Sequence, residues 1–302
     1  MGNIYTAAMG MISYQNKLEV VGNNVANTRS AGYKKDHESF RVFEEGMRKI
    51  ISADKTSKIG PYQDEVHVDN VQTNFSPGLL KLTDRALDVS LDDKRDKDGK
   101  QDISFFEVEL NGEKYLTREG KFQIDNENNL SLMNGAFILD SNGQHIKVPK
   151  GVELSIDTEG TLVNKATGEE ITKLQIRSVE QNNTGYLKKA FGNMFEVMSV
   201  DAIQNNFGPL NKIIGSFNEN PSLQKILKNP NVLTEAQGTG QINIFKPTND
   251  VNVRQQMLEE SNVDISYEMN EMLLAQKGFQ ANSKAAMTMD KINEKDANQI
   301  GV

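Results

Sequence analysis

Two stretches at opposite ends of the chain repeat apolar residues at heptad spacing, and no other feature constrains the fold as much. Near the C terminus Leu258, Ile265, Met272, Phe279 and Ala286 recur every seventh residue, with Met269, Ala275, Gln276 and Met289 between them. Near the N terminus Ile4, Met11, Leu18 and Val25 do the same, with Ala7, Tyr14 and Val21 filling the intermediate positions. Each stretch reads as one helix with an apolar stripe. From Asp264 to Asn293 a continuous helix would run to about 45 Å, longer than a small domain is wide, so one local core does not cover it. Ile4, Met11, Leu18, Val25, Leu258, Ile265, Met269, Met272, Gln276 and Phe279 are therefore the expected seam between copies of the chain. Taken alone, either stripe also fits an ordinary core-facing helix.

Ser261 or Asn262 is placed to cap the second helix, while Asp264 and Glu268 set negative charge beside its positive dipole end. Gly278 costs about 1 kcal/mol relative to Ala in a helix interior, and its small size would let another backbone approach closely.

With helical termini and all else between them, the expected class is α+β. The terminal α-helices form a discontinuous coiled-coil-like layer that carries an inserted antiparallel β domain and a small helical insertion. The boundaries expected are 1–35 for the N-terminal helix, 36–65 for a linker and 66–198 for the β domain. A helical insertion over 199–237, a return segment over 238–251 and the C-terminal helix over 252–302 complete the chain.

Asp36 to Tyr62 fits no single period, and Gly60-Pro61 reads as a turn. From Val66 to about Ile176 short strands follow one another, and Asn111-Gly112 and Asn134-Gly135 fit two-residue hairpin loops. Phe106, Val108 and Leu110 face Tyr115 and Thr117 across the first loop, as in strands with one buried face. Further on, Asn220-Pro221-Ser222 opens a helix through Leu223, Ile226 and Leu227, with Leu210, Ile213, Ile214 and Phe217 as its companion. That helical hairpin is expected on the outside of the β domain.

The charges carry little chemistry. With 42 acidic against 34 basic residues the net charge of -8 argues against nucleic acid or anionic membrane as a general partner. Lys34-Lys35 and Lys188-Lys189 read as solvated surface. Asp92 to Gly99 invites a calcium loop, but setting Gly99 at the invariant glycine puts Lys94 and Phe105 at essential ligand positions, so the stretch reads as a solvated hairpin tip. The absence of Cys excludes disulfides, thiolate metal sites and cysteine nucleophiles. His37, His67 and His145 lie in separate segments, the carboxylates fall in no catalytic motif, and no glycine-rich phosphate loop is present. No catalytic, metal or cofactor site is expected, and the chain reads as a non-enzyme. No apolar run is long enough to span a membrane, and the start lacks the basic and apolar regions of a signal peptide. Met1-Gly2-Asn3 fits a myristoylation pattern, but Ile4 and Ala7 belong to the helical seam.

Asn23-Asn24-Val25-Ala26-Asn27 with Gly32-Tyr33-Lys34, and Leu258-Glu259 with Ser261-Asn262-Val263-Asp264, resemble the two signatures of the bacterial flagellar rod and hook proteins. The resemblance is to rod proteins of the FlgF/FlgG type, and it continues through Glu268, Met269, Ala275, Gln276, Phe279, Ala281, Asn282 and Lys284. Thr83, Leu87-Asp88, Phe105-Phe106, Tyr115, Thr117-Arg118, Gly120 and Phe122 are similar to the family's middle domain, and Gly192, Asn193 and Phe195 to a later element. The charged loop before Ile103 and the insertion from Ser199 to Gln237 depart from the pattern. The resemblance implies an axial structural subunit of the basal-body rod, exported by the flagellar export apparatus and lying outside the cytoplasmic membrane. Its implied partners are itself and other rod and hook proteins. A hook-type subunit is the alternative within the family. From another class the alternative is a secreted carbohydrate-binding or hydrolytic β domain dimerised by its terminal helices.

Overall fold

The computed structural model describes residues 2–52, 55–93, 102–207, 209–219, 224, 227–246 and 251–300. The fold is α+β, with one helix at each end and mostly antiparallel β structure between. Among the described residues the α-helices are α1 (Gly2–Ala26), α2 (Val200–Phe207), α3 (Leu210–Ser216), α4 (Asn231–Thr239) and α5 (Ile265–Ile300). The chain forms two compact units, Met1–Thr28 with Lys35–Asn74 and Val263–Val302, and Arg29–Lys34 with Phe75–Asn262.

In the first unit α1 packs against α5. The start of α5 is fixed by Asp264, whose carboxylate accepts from the Ser266 and Tyr267 N–H groups at 2.9 and 3.2 Å. Asp264, rather than Ser261 or Asn262, is thus the cap that satisfies the orphan donors. Leu258 therefore lies outside the helix, which begins at Ile265 and runs past Asn293 to Ile300.

The segment without a clear period is a long antiparallel hairpin, β1 (Asp36–Ser52) and β2 (Lys55–Thr73). Gly60-Pro61 is not its turn, since these residues sit inside β2 opposite Arg48 and Met47. A two-stranded ribbon has only edge strands, so a Pro without an N–H is tolerated there, and the register shifts beside it, between Arg48 and Lys49. Val66–Thr73 belongs to this hairpin as well.

The second unit contains β3 (Leu80–Leu82), β4 (Val89–Asp93), β5 (Ile103–Leu110), β6 (Glu113–Thr117), β7 (Phe122–Ile124), β8 (Leu130–Leu132) and β9 (Phe137–Ile138). These are followed by β10 (Leu154–Ile156), β11 (Thr161–Asn164), β12 (Glu170–Lys173), β13 (Ile176–Val179), β14 (Leu187–Phe191) and β15 (Met194–Val197). The last strands are β16 (Phe245–Lys246), β17 (Val251–Gln255) and β18 (Met257–Glu259). The main sheet runs β14-β15-β6-β5-β9-β8-β7, with β13 also paired to β5 and to β16. Smaller sheets are β10-β11-β12, β17-β4 and β18-β3, in which Leu258 pairs with Lys81.

The β5–β6 loop is the expected two-residue turn, with Asn111 and Gly112 at φ 55° and 86° and Val108 opposite Tyr115. The β8–β9 loop differs. Only Gly135 takes positive φ there, and its N–H donates to the Leu132 carbonyl, which makes a longer turn closed by one left-handed residue.

Strand β5 is buried on both faces from Ile103 to Val108, not on one. Phe106 joins Val89, Phe122, Leu130 and Ile138 in one core. Phe105 points the other way, onto Phe75 and Phe195 with ring centroids at 5.8 and 5.9 Å. The helical segment covers that second face with Ile203, Leu210, Ile213 and Leu233, so it completes a core instead of decorating the outside. Of the companion helices expected, Leu210–Ser216 is present, while Leu223 and Ile226 lie outside the described residues.

Candidate assembly site

The terminal helices meet through small and polar groups. Ala7 and Val21 on α1 and Ala275 on α5 are buried. A side chain at Gly10 would strike Asn282, and one at Gly278 would strike the Tyr14 ring, so an aromatic ring, not a backbone, occupies the space that Gly278 leaves. Lys17 pairs with Glu271. Buried Asn24 donates to Glu268 at 3.1 Å and to the Asp36 carbonyl at 2.7 Å, and accepts from the Asp36 N–H at 3.0 Å. The first signature therefore ties α1, β1 and α5 together. Asn27 folds back onto Asn23 at 2.8 Å, while Asn23 and Ala26 are exposed.

The expected seam splits. Ile4, Met11, Leu18, Val25, Met272 and Phe279 are half-buried within the chain. Ile265, Met269 and Gln276 are exposed, Met269 by 55%, and Leu273 and Leu274 extend that outer face. Tyr5 and Ile12 are exposed on α1.

In the second unit the other signature residues build a buried charge cluster. Lys34, Arg118 and Glu259 are 1%, 3% and 2% exposed. The Glu259 carboxylate accepts from Lys34 Nζ at 2.6 Å, from Arg118 Nε at 2.7 Å and from the Gly78 N–H at 2.8 Å. Arg118 also donates to Asp93 at 2.8 Å and to the Ser104 and Leu91 carbonyls, and Lys34 donates to the Ser76 carbonyl. Lys34 is thus no surface lysine, and Asp93 no solvated loop residue.

Burial pushes the Glu259 carboxyl up, but Arg118 and Lys34 outweigh it and hold the group below the usual carboxylate range. For Asp93 burial wins over Arg118 and its pKa rises. Burial also works against the Arg118 charge, yet Glu259 and Asp93 hold its pKa above the ordinary value. Burial lowers Lys34 in spite of Glu259. Two cations and two carboxylates in low dielectric are tolerable only because nearly every polar atom has a partner.

Around the cluster, Gly32 at φ 67° brings its N–H to the Glu259 carbonyl at 2.8 Å, and a side chain there would collide with the Arg118 backbone. Tyr33 is fully buried, and Lys189 lies 4.2 Å over its ring while donating to the Lys34 carbonyl, so Lys189 also is not free surface. Asn193 donates to Ala31 O and Asn262 to Ser76 O. Val263 is buried in the first unit. The arrangement fastens chain from both ends onto one sheet through fixed charges.

Sequence reasoning placed none of Lys34, Asp93, Arg118 and Glu259 in a buried cluster: Lys34 read as surface and Glu259 only as a signature residue. Arg118 carried a signal as part of a family-like stretch, whereas Asp93 looked like one more acid in a charged run.

Three families match separate stretches of the chain. Residues 254–300 match the family described as flagellar basal body rod FlgEFG protein C-terminal, 103–164 the flagellar hook protein FlgE/F/G D1 domain, and 4–34 the flagella basal body rod protein family. The chain is 27% identical to the flagellar basal-body rod protein FlgG of Bacillus subtilis (strain 168), covering 96% of each chain. It is 26% identical to the flagellar hook-basal body complex protein FlhO of the same organism, covering 99% of this chain and 98% of the other. With the flagellar hook protein FlgE of Treponema pallidum (strain Nichols) it shares 24% identity over 49% of this chain and 29% of the other.

Proposed function

From a chain that is a flagellar basal-body rod protein of the FlgF/FlgG type, a structural subunit of the flagellar basal body, we infer that its terminal helices carry the subunit contacts. The observation that supports this reading is the outer face of α5. Ile265, Met269, Leu273, Leu274, Met287 and Ile292 are exposed along it although the opposite side of the helix is covered by α1. Four large apolar side chains exposed between Ile265 and Leu274, on the side away from α1, mark a contact surface. In this reading α1 and α5 form the coiled-coil-like layer, and Ile265, Met269 and Gln276 face neighbouring rod or hook subunits. Met272 and Phe279, half-buried already, reach the same boundary. The protein works as part of a drive shaft, transmits force without chemistry, binds no nucleic acid and is passed outward by the flagellar export apparatus. No helix among the described residues is long and apolar enough to cross a membrane. A hook-type role is the weaker reading, because the hook protein matched shares only 29% of its own length with this chain.

Complementation of a deletion strain tests it. Wild-type protein is expected to restore motility and a full-length basal body. Met269→Asp with Leu273→Asp is expected to leave the purified monomer's melting unchanged and to restore neither. Normal motility with that variant overturns the reading.

A further inference from the structure

Between α1, the base of β1 and the start of α5 lies a cleft of about 390 Å³ in the first unit. Its walls hold Lys17, Lys35, Glu38, Glu268 and Glu271. Lys17 is engaged by Glu271, and Lys35 reaches Glu268 at 3.8 Å and lies over the Tyr267 ring. Glu38 is different, because both of its carboxylate oxygens are buried and neither has a hydrogen-bond partner. Burial pushes this carboxyl up to about 7, with Lys17 opposing and Glu19 reinforcing. A desolvated carboxylate without a donor is an unfavourable feature that one incoming cation would relieve. A divalent metal ion fits poorly, since lysines share the walls and no metal-binding group of side chains occurs among the described residues.

The same helix displays such a cation. Lys277, Lys284 and Lys291 recur every seventh residue, all exposed, and none forms an ion pair among the described residues. At about 100° per residue they lie on the side of α5 roughly opposite Glu268, which faces α1. At about 1.5 Å per residue the row begins some 10 Å beyond the cleft and continues about 20 Å further. Site and row are therefore different surfaces at different heights, so a copy that offers its row to one neighbour and its cleft to another makes a head-to-tail contact, the kind that builds an open filament.

We propose that the cleft at Glu38 receives a lysine ammonium from the Lys277, Lys284 and Lys291 row of a neighbouring copy of this chain. The inference rests on the rod-subunit reading above and adds a polar register to it. An apolar seam alone permits sliding, whereas a lysine seated in a cleft fixes the axial offset between neighbours.

The test measures how much protein enters isolated basal bodies in the deletion strain. Glu38→Gln, and separately Lys277→Glu with Lys284→Glu and Lys291→Glu, are each expected to lower incorporation about tenfold or more. Glu38→Lys combined with the three lysine reversals is expected to recover most of it. Because the lysines are exposed, their variant folds normally and tests the contact even where a change at Glu38 disturbs the monomer. Wild-type incorporation by Glu38→Gln overturns the proposal, as does a charge swap no better than its parts. If the lysine variant alone incorporates normally, the cation comes from a different protein and the assignment to a second copy is wrong. Failure of wild-type protein to enter basal bodies overturns the rod-subunit reading itself, a distinguishable result.

Discussion

At the residue scale, the buried charges decide most. Arg118 neutralises Asp93 and Glu259 and fills two backbone carbonyls besides, so Arg118→Met leaves two buried carboxylates with Lys34 alone. A loss of about 3–5 kcal/mol is expected, read as a lower urea midpoint of the near-UV signal. Arg118→Lys keeps the charge but loses the fork, and should fall between. Glu38 sets the opposite case. Its folded pKa of about 7 lies above the ordinary 4.5, so the folded chain binds the extra proton and this group's contribution to stability falls as pH rises from about 4.5 to 7. The charges around it are Lys17 and Glu19 on α1, Lys35, Asp36 and His37 near β1, and Glu268 and Glu271 on α5. Glu38→Gln removes the cost of the ionised form without touching these pairs. The variant monomer should melt higher than wild type at pH 8 and nearly level with it at pH 5. An equal change at both pH values would show that the carboxyl does not titrate in that range.

At the scale of elements, what could be read from sequence depended on whether a period was unbroken. Both terminal helices were legible because their stripes run without Pro, and the β5–β6 hairpin because Asn111-Gly112 admits few other conformations. The β1–β2 ribbon was not legible. A two-stranded hairpin is not required to alternate by burial, and Gly60-Pro61 carries a turn signal that edge position makes harmless. Likewise the two-sided burial of β5 depends on helices far along the chain, which no local pattern reports. Lys34 and Glu259 could be singled out as signature residues, yet their ion pair closes 225 residues of sequence, and charge alone gave Lys34 the look of surface. The helix pair offers its own test at Gly278, where Ala gains about 1 kcal/mol of helix propensity but drives its methyl into Tyr14. Gly278→Ala should lower the melting temperature of the helical signal, and adding Tyr14→Ala should restore most of it. Phe279→Asp should also weaken this pair, since Phe279 is half-buried within a single chain.

At the scale of the whole molecule, a subunit whose two ends form one helical pair can present that pair to its neighbours. The signatures divide between the two jobs. Asn24 and Asp264 shape the helical unit, while Gly32, Tyr33, Lys34 and Glu259 fix the neighbouring chain segments to the sheet. The chain contains no Cys, so a single reactive residue can be placed without background. A photo-crosslinking residue at Leu273, which is 55% exposed on α5, should capture a second copy or another rod or hook protein when basal bodies are irradiated intact. Basal bodies that contain the chain but give no adduct from Leu273, while a control position in the second unit does, would contradict assembly through the terminal helices.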